Sequence, residues 1–239
     1  MLKKHQGFNF GFALLFITQL ITESDTLTEL FLIPNVHYFI KPLITLSLFG
    51  LLLFHTGLRG RFSKRIGIGL VFGLVGDIFL LFDNHNEQFF IYGLVAFLMG
   101  HISYMSAFYL DYKINKGVYK KHSKNAIIAY GFFSVLFCAG LWTYLGPMKI
   151  PVIIYALAIS AMGVMAVNRF GRVNSLSYDL IFYGSLLFVL SDSVLAIDRF
   201  VHGFKLSGVI VMASYMAAQY LITMGNIERK MKKKVEEII

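Results

Sequence analysis

The sequence predicts an all-α, polytopic membrane helix bundle that forms a single domain over residues 1–239. The first observation is composition, since 57% of the residues are hydrophobic and the mean hydropathy is +0.67, well above the values of soluble domains. The second is a series of eight apolar runs, each about the length that crosses ~30 Å of hydrocarbon. They lie near residues 7–23, 37–56, 66–83, 88–110, 125–145, 150–168, 176–198 and 206–227. Eight such spans occupy most of the chain, so we expect no separate soluble domain.

The distribution of positive charge predicts the topology of these spans. The formal net charge is +9, and 18 of the 22 Lys and Arg residues lie near the termini or in alternate loops. Because Lys-rich and Arg-rich loops face the cytoplasm, we expect eight transmembrane helices with both termini cytoplasmic. The excess charge is expected to bind anionic membrane lipids, and its pattern argues against a nucleic-acid partner. Residues 111–124 are predicted to be a solvated loop, and the tail from Glu228 a short charged helix or a disordered segment.

The first apolar run follows Lys3-Lys4 and is similar to a signal peptide. No small-x-small cleavage site follows Ile21, so we interpret the run as an uncleaved span. The single Cys138 lies inside the fifth run, which argues against a disulfide framework and against a Cys-x-x-Cys metal site. We predict a multi-pass integral membrane protein, located in the cell membrane if the source is bacterial.

Two acidic residues inside apolar runs, Asp77 and Asp192, are the main functional candidates. A charge at mid-membrane costs roughly 2.5–3.5 kcal/mol on insertion scales, so such residues usually face the protein interior and serve a function. Each follows a small residue, Gly76 or Ser191. We expect the two carboxylates to meet in one site whose walls are the other helices. Facing carboxylates resist double ionisation, so one of them would keep its proton.

Small residues beside Asp77 predict close helix contacts around it. Gly69, Gly73 and Gly76 recur at helical spacing in the third run, a pattern typical of a face where helix backbones approach. Asp77 follows Gly73 by about one turn, so it is expected to point away from lipid. Gln219 in the eighth run must likewise find a partner within the bundle.

Two further polar residues each have two interpretations. Lys41 lies about one turn inside the second run, where its ammonium group either reaches the membrane surface or turns inward to meet a carboxylate or a lipid phosphate. His101 is the one His well inside an apolar run. A lone His on an apolar face is more often a hydrogen-bonded core residue than a catalytic one, and both roles stay open.

An internal repeat is a further hypothesis. Asp77 and Asp192 are 115 residues apart, and each begins an Asp-x5-Asp element that ends at Asp83 or Asp198. Each half would contain four spans that start in the cytoplasm, which gives a 4+4 parallel repeat about an axis along the membrane normal. Repeats of this kind place their shared site at the interface between the halves.

The sequence resembles the YhhN family of multi-pass membrane proteins, whose animal members include lysoplasmalogenase. The resemblance covers most of the chain, from the second span to the eighth, in the expected order. Its matching pieces are Lys41-Pro42, Gly76-Asp77 with Leu80, Gly93…Phe97…His101…Tyr104, Gly184…Phe188…Ser191-Asp192…Ala196, and Tyr215…Ala218-Gln219. Each piece is weak alone, and together they are fairly specific.

The resemblance implies a hydrolase that cleaves the vinyl ether bond of lysoplasmalogens. The substrate would be a lysophospholipid, and the products a fatty aldehyde and glycerophosphoethanolamine or glycerophosphocholine. The family's essential membrane acids correspond here to Asp77 and Asp192, which implies that these two residues are catalytic. Substrate contacts are then expected from Lys41, His101, Tyr104, Ser191, Tyr215 and Gln219.

Two carboxylates suit this chemistry. A vinyl ether hydrolyses by protonation at its β-carbon, and water captures the resulting oxocarbenium ion. The reaction needs a general acid, a base for the water and negative charge beside the cation, roles that paired carboxylates divide in glycosidases. We expect no metal and no organic cofactor, because a metal hydrolase would want more than one buried His beside the acids.

A proton-coupled small-molecule transporter is the alternative from another class. It too would have buried acids, a glycine-rich helix and a site between paired halves. A structural role, with the buried polar residues holding helices together, is the third interpretation. The sequence decides neither the headgroup preference nor which Asp is the acid, and it leaves a homo-oligomer open.

Overall fold

The computed structural model describes residues 5–23, 37–83, 86–114 and 120–232. These residues form eight α-helices and a short 3-10 turn at Gly146–Met148, and their only β-type pairing is an isolated bridge between Val173 and Met231. The helices are α1 Gln6–Thr22, α2 His37–Thr56, α3 Gly60–Leu81, α4 Glu87–Ile114, α5 Lys120–Leu141, α6 Lys149–Val167, α7 Ser175–Phe200 and α8 Ser207–Ile227. The predicted all-α class is confirmed. Parts of the predicted solvated loop (115–119) and of the tail (233–239) lie outside the described residues.

Six of these helices, α2 and α4 to α8, are long and apolar enough to cross a membrane. Helix α1 is apolar but has 17 residues. Helix α3 carries Arg61, Lys64 and Arg65 in its first two turns in addition to Asp77. Every predicted run coincides with a helix, and the largest shift is at α3, which begins at Gly60 rather than at residue 66. The chain is an integral, multi-pass membrane protein.

Two helix pairs, α3 with α4 and α7 with α8, make the most extensive contacts in the bundle. Helix α6 packs against α4, α5 and α7, while α5 packs mainly against α6. The glycine face of α3 is confirmed as a site of close approach. A Cβ atom at Gly76 would lie 2.8 Å from the Phe97 ring, and Gly69 faces the ring of Tyr104. Only a residue without a side chain lets these aromatic rings reach α3.

A buried polar cluster joins α4, α7 and α8 at the end of the bundle opposite Asp192. The Arg169 guanidinium donates to Asp111 Oδ2 at 2.8 Å, and to the carbonyl and hydroxyl oxygens of Ser177 at 3.0 and 2.8 Å. The Ser177 hydroxyl donates to the Gly225 carbonyl at 2.6 Å, and Arg229 Nε donates to Asp111 Oδ1 at 3.0 Å. We call these five residues the anchor cluster.

This end of the bundle corrects two sequence predictions. Asp111 does not lie in a solvated loop, since α4 extends past it and its side chain is fully buried. The first tail residues, 228–232, form neither a charged helix nor a disordered segment, and the backbone amide of Lys232 donates to the Arg172 carbonyl at 3.0 Å. Burial of the Asp111 carboxylate is tolerated because it has two Arg partners. A buried charge is stable only when it is paired and hydrogen-bonded.

Candidate active site

Asp77 lies on the buried face of α3 and is 1% exposed. Its Oδ2 atom accepts hydrogen bonds from the Tyr215 hydroxyl at 2.8 Å and from the Thr45 hydroxyl at 3.0 Å. The donors come from α8 and α2, so three helices meet at this carboxylate. A polar group this deep in a membrane protein needs internal partners, and Asp77 has them.

A chain of polar side chains extends from Asp77 towards α4. Gln219 Nε2 donates to the Tyr215 hydroxyl oxygen at 3.1 Å, and the Tyr104 hydroxyl donates to Gln219 Oε1 at 2.5 Å. The expected partner of Gln219 is therefore found. We call Thr45, Asp77, Tyr104, Tyr215 and Gln219 the Asp77 cluster. It is buried on every side, with no member above 4% exposed.

Asp192 on α7 has its own partners. Its Oδ2 atom accepts a hydrogen bond from the Tyr155 hydroxyl at 2.6 Å and lies 2.9 Å from His101 Nε2. His101 Nε2 is also 2.9 Å from the Tyr155 hydroxyl oxygen, so the three groups contact one another in a triangle. His101 Nδ1 is buried and has no hydrogen-bond partner among the described residues. We call these three residues the Asp192 cluster.

The two clusters share no hydrogen-bonding residue within the described part of the chain, and aromatic rings lie between them. The Phe188 ring is centred 4.8 Å from the His101 ring of one cluster and 5.5 Å from the Tyr215 ring of the other. The Phe97 ring is centred 5.7 Å from that of Tyr215. The clusters are thus neighbours across an apolar layer of Phe97 and Phe188.

An apolar cavity opens on the Asp192 side of this layer. It has a volume of about 620 Å³, counting its open mouth, and its walls are formed by helices α4 to α7 together with Leu80 of α3. Asp192 and Tyr155 bring their polar groups to a wall that is otherwise almost entirely hydrophobic, and Phe97 lines the side nearest the Asp77 cluster. The Asp192 side chain is 13% exposed, while Asp77 does not reach the cavity. A small reactive group in this cavity would meet Asp192 first.

The other two predicted site residues lie at the edges. Lys41 is half-buried on α2, four residues before Thr45, and its charge acts on Asp77. It therefore lies on the side of α2 that faces the site. Ser191 is 1% exposed and its hydroxyl donates to the Val211 carbonyl at 3.0 Å, so in this structure it joins α7 to α8.

Two residues that contact the carboxylates were not assigned to the site from sequence. Thr45 follows Lys41 by one helical turn, so its place on the same face of α2 was a signal that could have been used. Tyr155 is one of many aromatic residues in the apolar runs, and nothing in its local sequence distinguishes it. Among the described residues, no three His, Cys, Asp or Glu side chains are grouped closely enough to hold a metal ion.

The profile of the YhhN family matches residues 36–226, which include both clusters. The chain belongs to the YhhN family. This confirms the resemblance seen in the sequence. No solved structure matches the chain significantly.

Curated relatives of this YhhN protein are named as enzymes. It is 28% identical over 169 residues to lysoplasmalogenase TMEM86A of Bos taurus, an alignment that covers 70% of this chain and 67% of the relative. It is 29% identical over 189 residues to lysoplasmalogenase TMEM86B of Rattus norvegicus, and this alignment covers 77% of this chain and 70% of the relative. A lysoplasmalogenase of Mycobacterium bovis is 31% identical over 168 residues, and this alignment covers 70% of this chain and 61% of the relative. The same activity name thus recurs in mammals and mycobacteria.

Proposed function

We propose that this YhhN protein is a membrane-embedded lysoplasmalogenase, which hydrolyses the vinyl ether bond of lysoplasmalogens to a fatty aldehyde and a glycerophospho-headgroup. The observation that carries the proposal is the position of Asp192, which brings a carboxylate bonded to Tyr155 and His101 into an apolar cavity. The names of the relatives support a hydrolase rather than a transporter. A lysophospholipid suits the site because its chain is apolar and its reactive bond is small.

In the proposed reaction Asp192 is the general acid, because it is the carboxylate that lines the cavity. The double bond takes the Asp192 proton at its β-carbon, and the positive charge then lies on the α-carbon and the ether oxygen, beside the new carboxylate. Water adds its oxygen to the α-carbon while its proton passes to Asp77. The hemiacetal then breaks at the bond between the α-carbon and the glycerol oxygen. The hydroxyl proton returns to Asp192, the Asp77 proton goes to the glycerol oxygen, and one water is consumed.

Asp77 acts as the base in this scheme only if water reaches it past the aromatic layer. Phe97 lines the cavity and its ring also contacts Tyr215, which donates to Asp77. Rotation of the Phe97 ring is therefore the motion that would connect the two carboxylates. The Thr45 and Tyr215 hydroxyls hold Asp77 in place for this role.

The test is aldehyde release by the purified protein. A lysoplasmalogen, its ester analogue and its saturated alkyl ether analogue would be supplied in the same detergent, and aldehyde and headgroup would be quantified together. We expect aldehyde from the vinyl ether only, since neither analogue has a double bond to protonate. Absence of aldehyde from protein that elutes as a single species, or equal cleavage of the ester, would contradict the proposal.

Lys41 is proposed to bind the substrate phosphate. Lys41→Ala is expected to raise KM about tenfold or more, because a hydrogen bond to a charged group contributes about 1.5–3 kcal/mol. The kcat should stay within about twofold of the wild-type value, because the phosphate contact persists from the ground state to the transition state. Initial rates over a range of substrate concentrations would measure this. Lys124→Ala, at an exposed position of α5, is the control. A fall in kcat at constant KM would instead place Lys41 in the chemistry.

Gly73 is expected to be essential for the geometry of the Asp77 cluster. A Cβ atom there would lie 2.6 Å from Gln219 Nε2 and 3.0 Å from the Tyr215 hydroxyl, so both side chains must shift. We expect Gly73→Ala to lower kcat/KM by roughly 10- to 100-fold, as misplacement of about 1 Å does in active sites. Gly50→Ala on α2 meets nothing within 4 Å and is the matched control. Equal activity of the two variants would show that the cluster does not position Asp77.

We further propose that all eight helices cross the membrane with both termini cytoplasmic, and that α1–α4 and α5–α8 form a parallel repeat. The α3–α4 and α7–α8 pairs, each with one of the two proposed catalytic carboxylates, occupy equivalent places in the two halves. Cysteines introduced at Asn86 and Ser175, both exposed helix-end positions, should label from opposite sides in a Cys138→Ser background. Labelling of both from one side would refute this topology.

A further inference from the structure

A groove between α5 and α7 continues the Asp192 cavity along the bundle. The cavity and the groove share two lining residues, Phe133 on α5 and Val189 on α7. Beyond them the groove runs towards the amino-terminal ends of both helices, as far as His122 and Tyr178. The two spaces therefore adjoin at Phe133 and Val189, and together we call them the depression.

The lining residues of this depression follow the helical repeat on both walls. Their spacing of three or four residues places each set on one face of its helix. On α7 they are Tyr178, Phe182, Leu186, Val189, Asp192, Ala196 and Phe200, with Ser193 and Leu195 beside this row, and on α5 they are His122, Ala126, Ala129, Tyr130, Phe133 and Phe137, with Asn125 beside it. Helix α6 contributes Val167 to the groove and Ile159 to the cavity. Asp192 supplies a carboxylate to this lining, whose other polar groups are those of His122, Asn125, Ser193 and the tyrosines.

The groove has the length of a lipid chain. From Asp192 to Tyr178 the α7 axis runs 14 residues (192 − 178), which is about 21 Å at 1.5 Å per residue. One leaflet contributes about half of the ~30 Å hydrocarbon thickness of a bilayer, so a chain that spans a leaflet fits within this distance.

We propose that the α5–α7 groove binds the hydrocarbon chain of the substrate, with the vinyl ether at Asp192 and the chain running past Phe133 and Val189 towards Tyr178. This proposal rests on the proposed function, because it places the chain of a single-chain lipid whose reactive bond lies at Asp192. The groove is open on its bilayer side, where Ala129 and Leu186 are exposed, and α5 is held mainly by α6. The chain therefore enters sideways from the membrane without leaving an apolar environment.

The groove makes Leu186 a determinant of chain length. Leu186 lies six residues from Asp192, about 9 Å along α7, so a hexadecenyl chain passes it and a hexenyl chain ends before it. Leu186→Trp is expected to lower kcat/KM for the hexadecenyl substrate about tenfold or more, because loss of two buried methylene contacts already has that effect. The hexenyl substrate should be cleaved within about twofold of the wild-type rate, which also shows that the variant is folded.

Leu190→Trp is the matched control. Leu190 is one turn further along α7, is similarly exposed and lines neither the cavity nor the groove. Leu190→Trp should leave the ratio of kcat/KM for the hexadecenyl and hexenyl substrates unchanged. Equal effects of the two Trp variants on both substrates would overturn the proposal.

Cross-linking tests the groove independently of hydrolysis. A saturated alkyl ether lysophospholipid with a diazirine at the end of its hexadecyl chain would be photolysed on the purified protein, and modified residues located by mass spectrometry. Because this end of the chain lies beyond Leu186, we expect labels at Ala126, Phe182 and Tyr178. Labels spread over the exposed positions Ile128, Tyr183 and Leu190 would show that the chain lies in surrounding lipid and would refute the groove. Labels in the groove without aldehyde release would refute only the proposed hydrolysis. Aldehyde release together with spread labels would refute only the groove.

Discussion

Replacing Asp192 by Asn is expected to lower kcat for lysoplasmalogen hydrolysis by roughly a thousandfold or more, since general acid–base groups contribute about 10²- to 10⁴-fold and this one also stabilises the cation. Asn keeps the shape of the side chain and can still accept the Tyr155 hydrogen bond, so the fold should persist. It has no proton to give to the β-carbon. Aldehyde release by the purified variant, together with its thermal unfolding, measures both expectations.

Asp77→Asn should have a comparable effect, and the double variant should be no worse than either single one, because the two carboxylates act on one reaction. Asp179→Asn is the control, since Asp179 is an exposed carboxylate on the same helix as Asp192. Near-normal turnover in Asp192→Asn would remove it from the chemistry. Additive losses in the double variant would mean that Asp77 and Asp192 contribute independently of each other, which would contradict the proposed pairing.

Replacing Arg169 by Ala is expected to have the largest effect on stability. Arg169 and Asp111 are both fully buried, and Arg169 also bonds Ser177 and covers the Phe62 and Phe108 rings. Removing one partner of a buried pair costs about 3–5 kcal/mol, because the other charge is left poorly compensated. Arg229 compensates Asp111 in part, which places the expected loss at the lower end of this range.

The unfolding temperature in detergent would show this loss, and Arg61→Ala on the exposed side of α3 is the matched control. The anchor cluster fixes α4, α7 and α8, which carry His101, Asp192 and Tyr215. We therefore expect activity at low temperature to be retained and to be lost earlier on heating. An unchanged unfolding temperature would mean that Arg229 alone satisfies Asp111.

The sequence predicted those features that depend on local patterns. Each helix contains one of the predicted apolar runs, and burial of an acid in such a run is costly enough to mark Asp77 as a functional candidate from its sequence context alone. The glycines of α3 were predictable for the same reason, since their helical spacing defines a face. The observed helix bounds differ from the predicted ones where charged residues continue a helix beyond its apolar part, as Arg61 does at the start of α3.

What the sequence could not predict depends on contacts between distant segments. Tyr155 donates to a carboxylate 37 residues away, and Tyr215 to one 138 residues away. The partners of Asp111 lie 58 and 118 residues further along the chain, so a loop location was the natural interpretation of its charge. Which carboxylate faces the cavity also follows only from packing, because the local sequences around Asp77 and Asp192 are alike.

The central claim is that Asp192 protonates the β-carbon of the vinyl ether and that water then attacks the α-carbon. Hydrolysis in water enriched in oxygen-18 tests it most directly, with the mass of the glycerophospho product as the readout, because its hydroxyl groups do not exchange with water. The account predicts an unlabelled headgroup product from the wild-type protein, since the ether oxygen stays with glycerol, and no product from Asp192→Asn. Oxygen-18 in the glycerol would mean that water attacks the glycerol carbon, which would contradict the account.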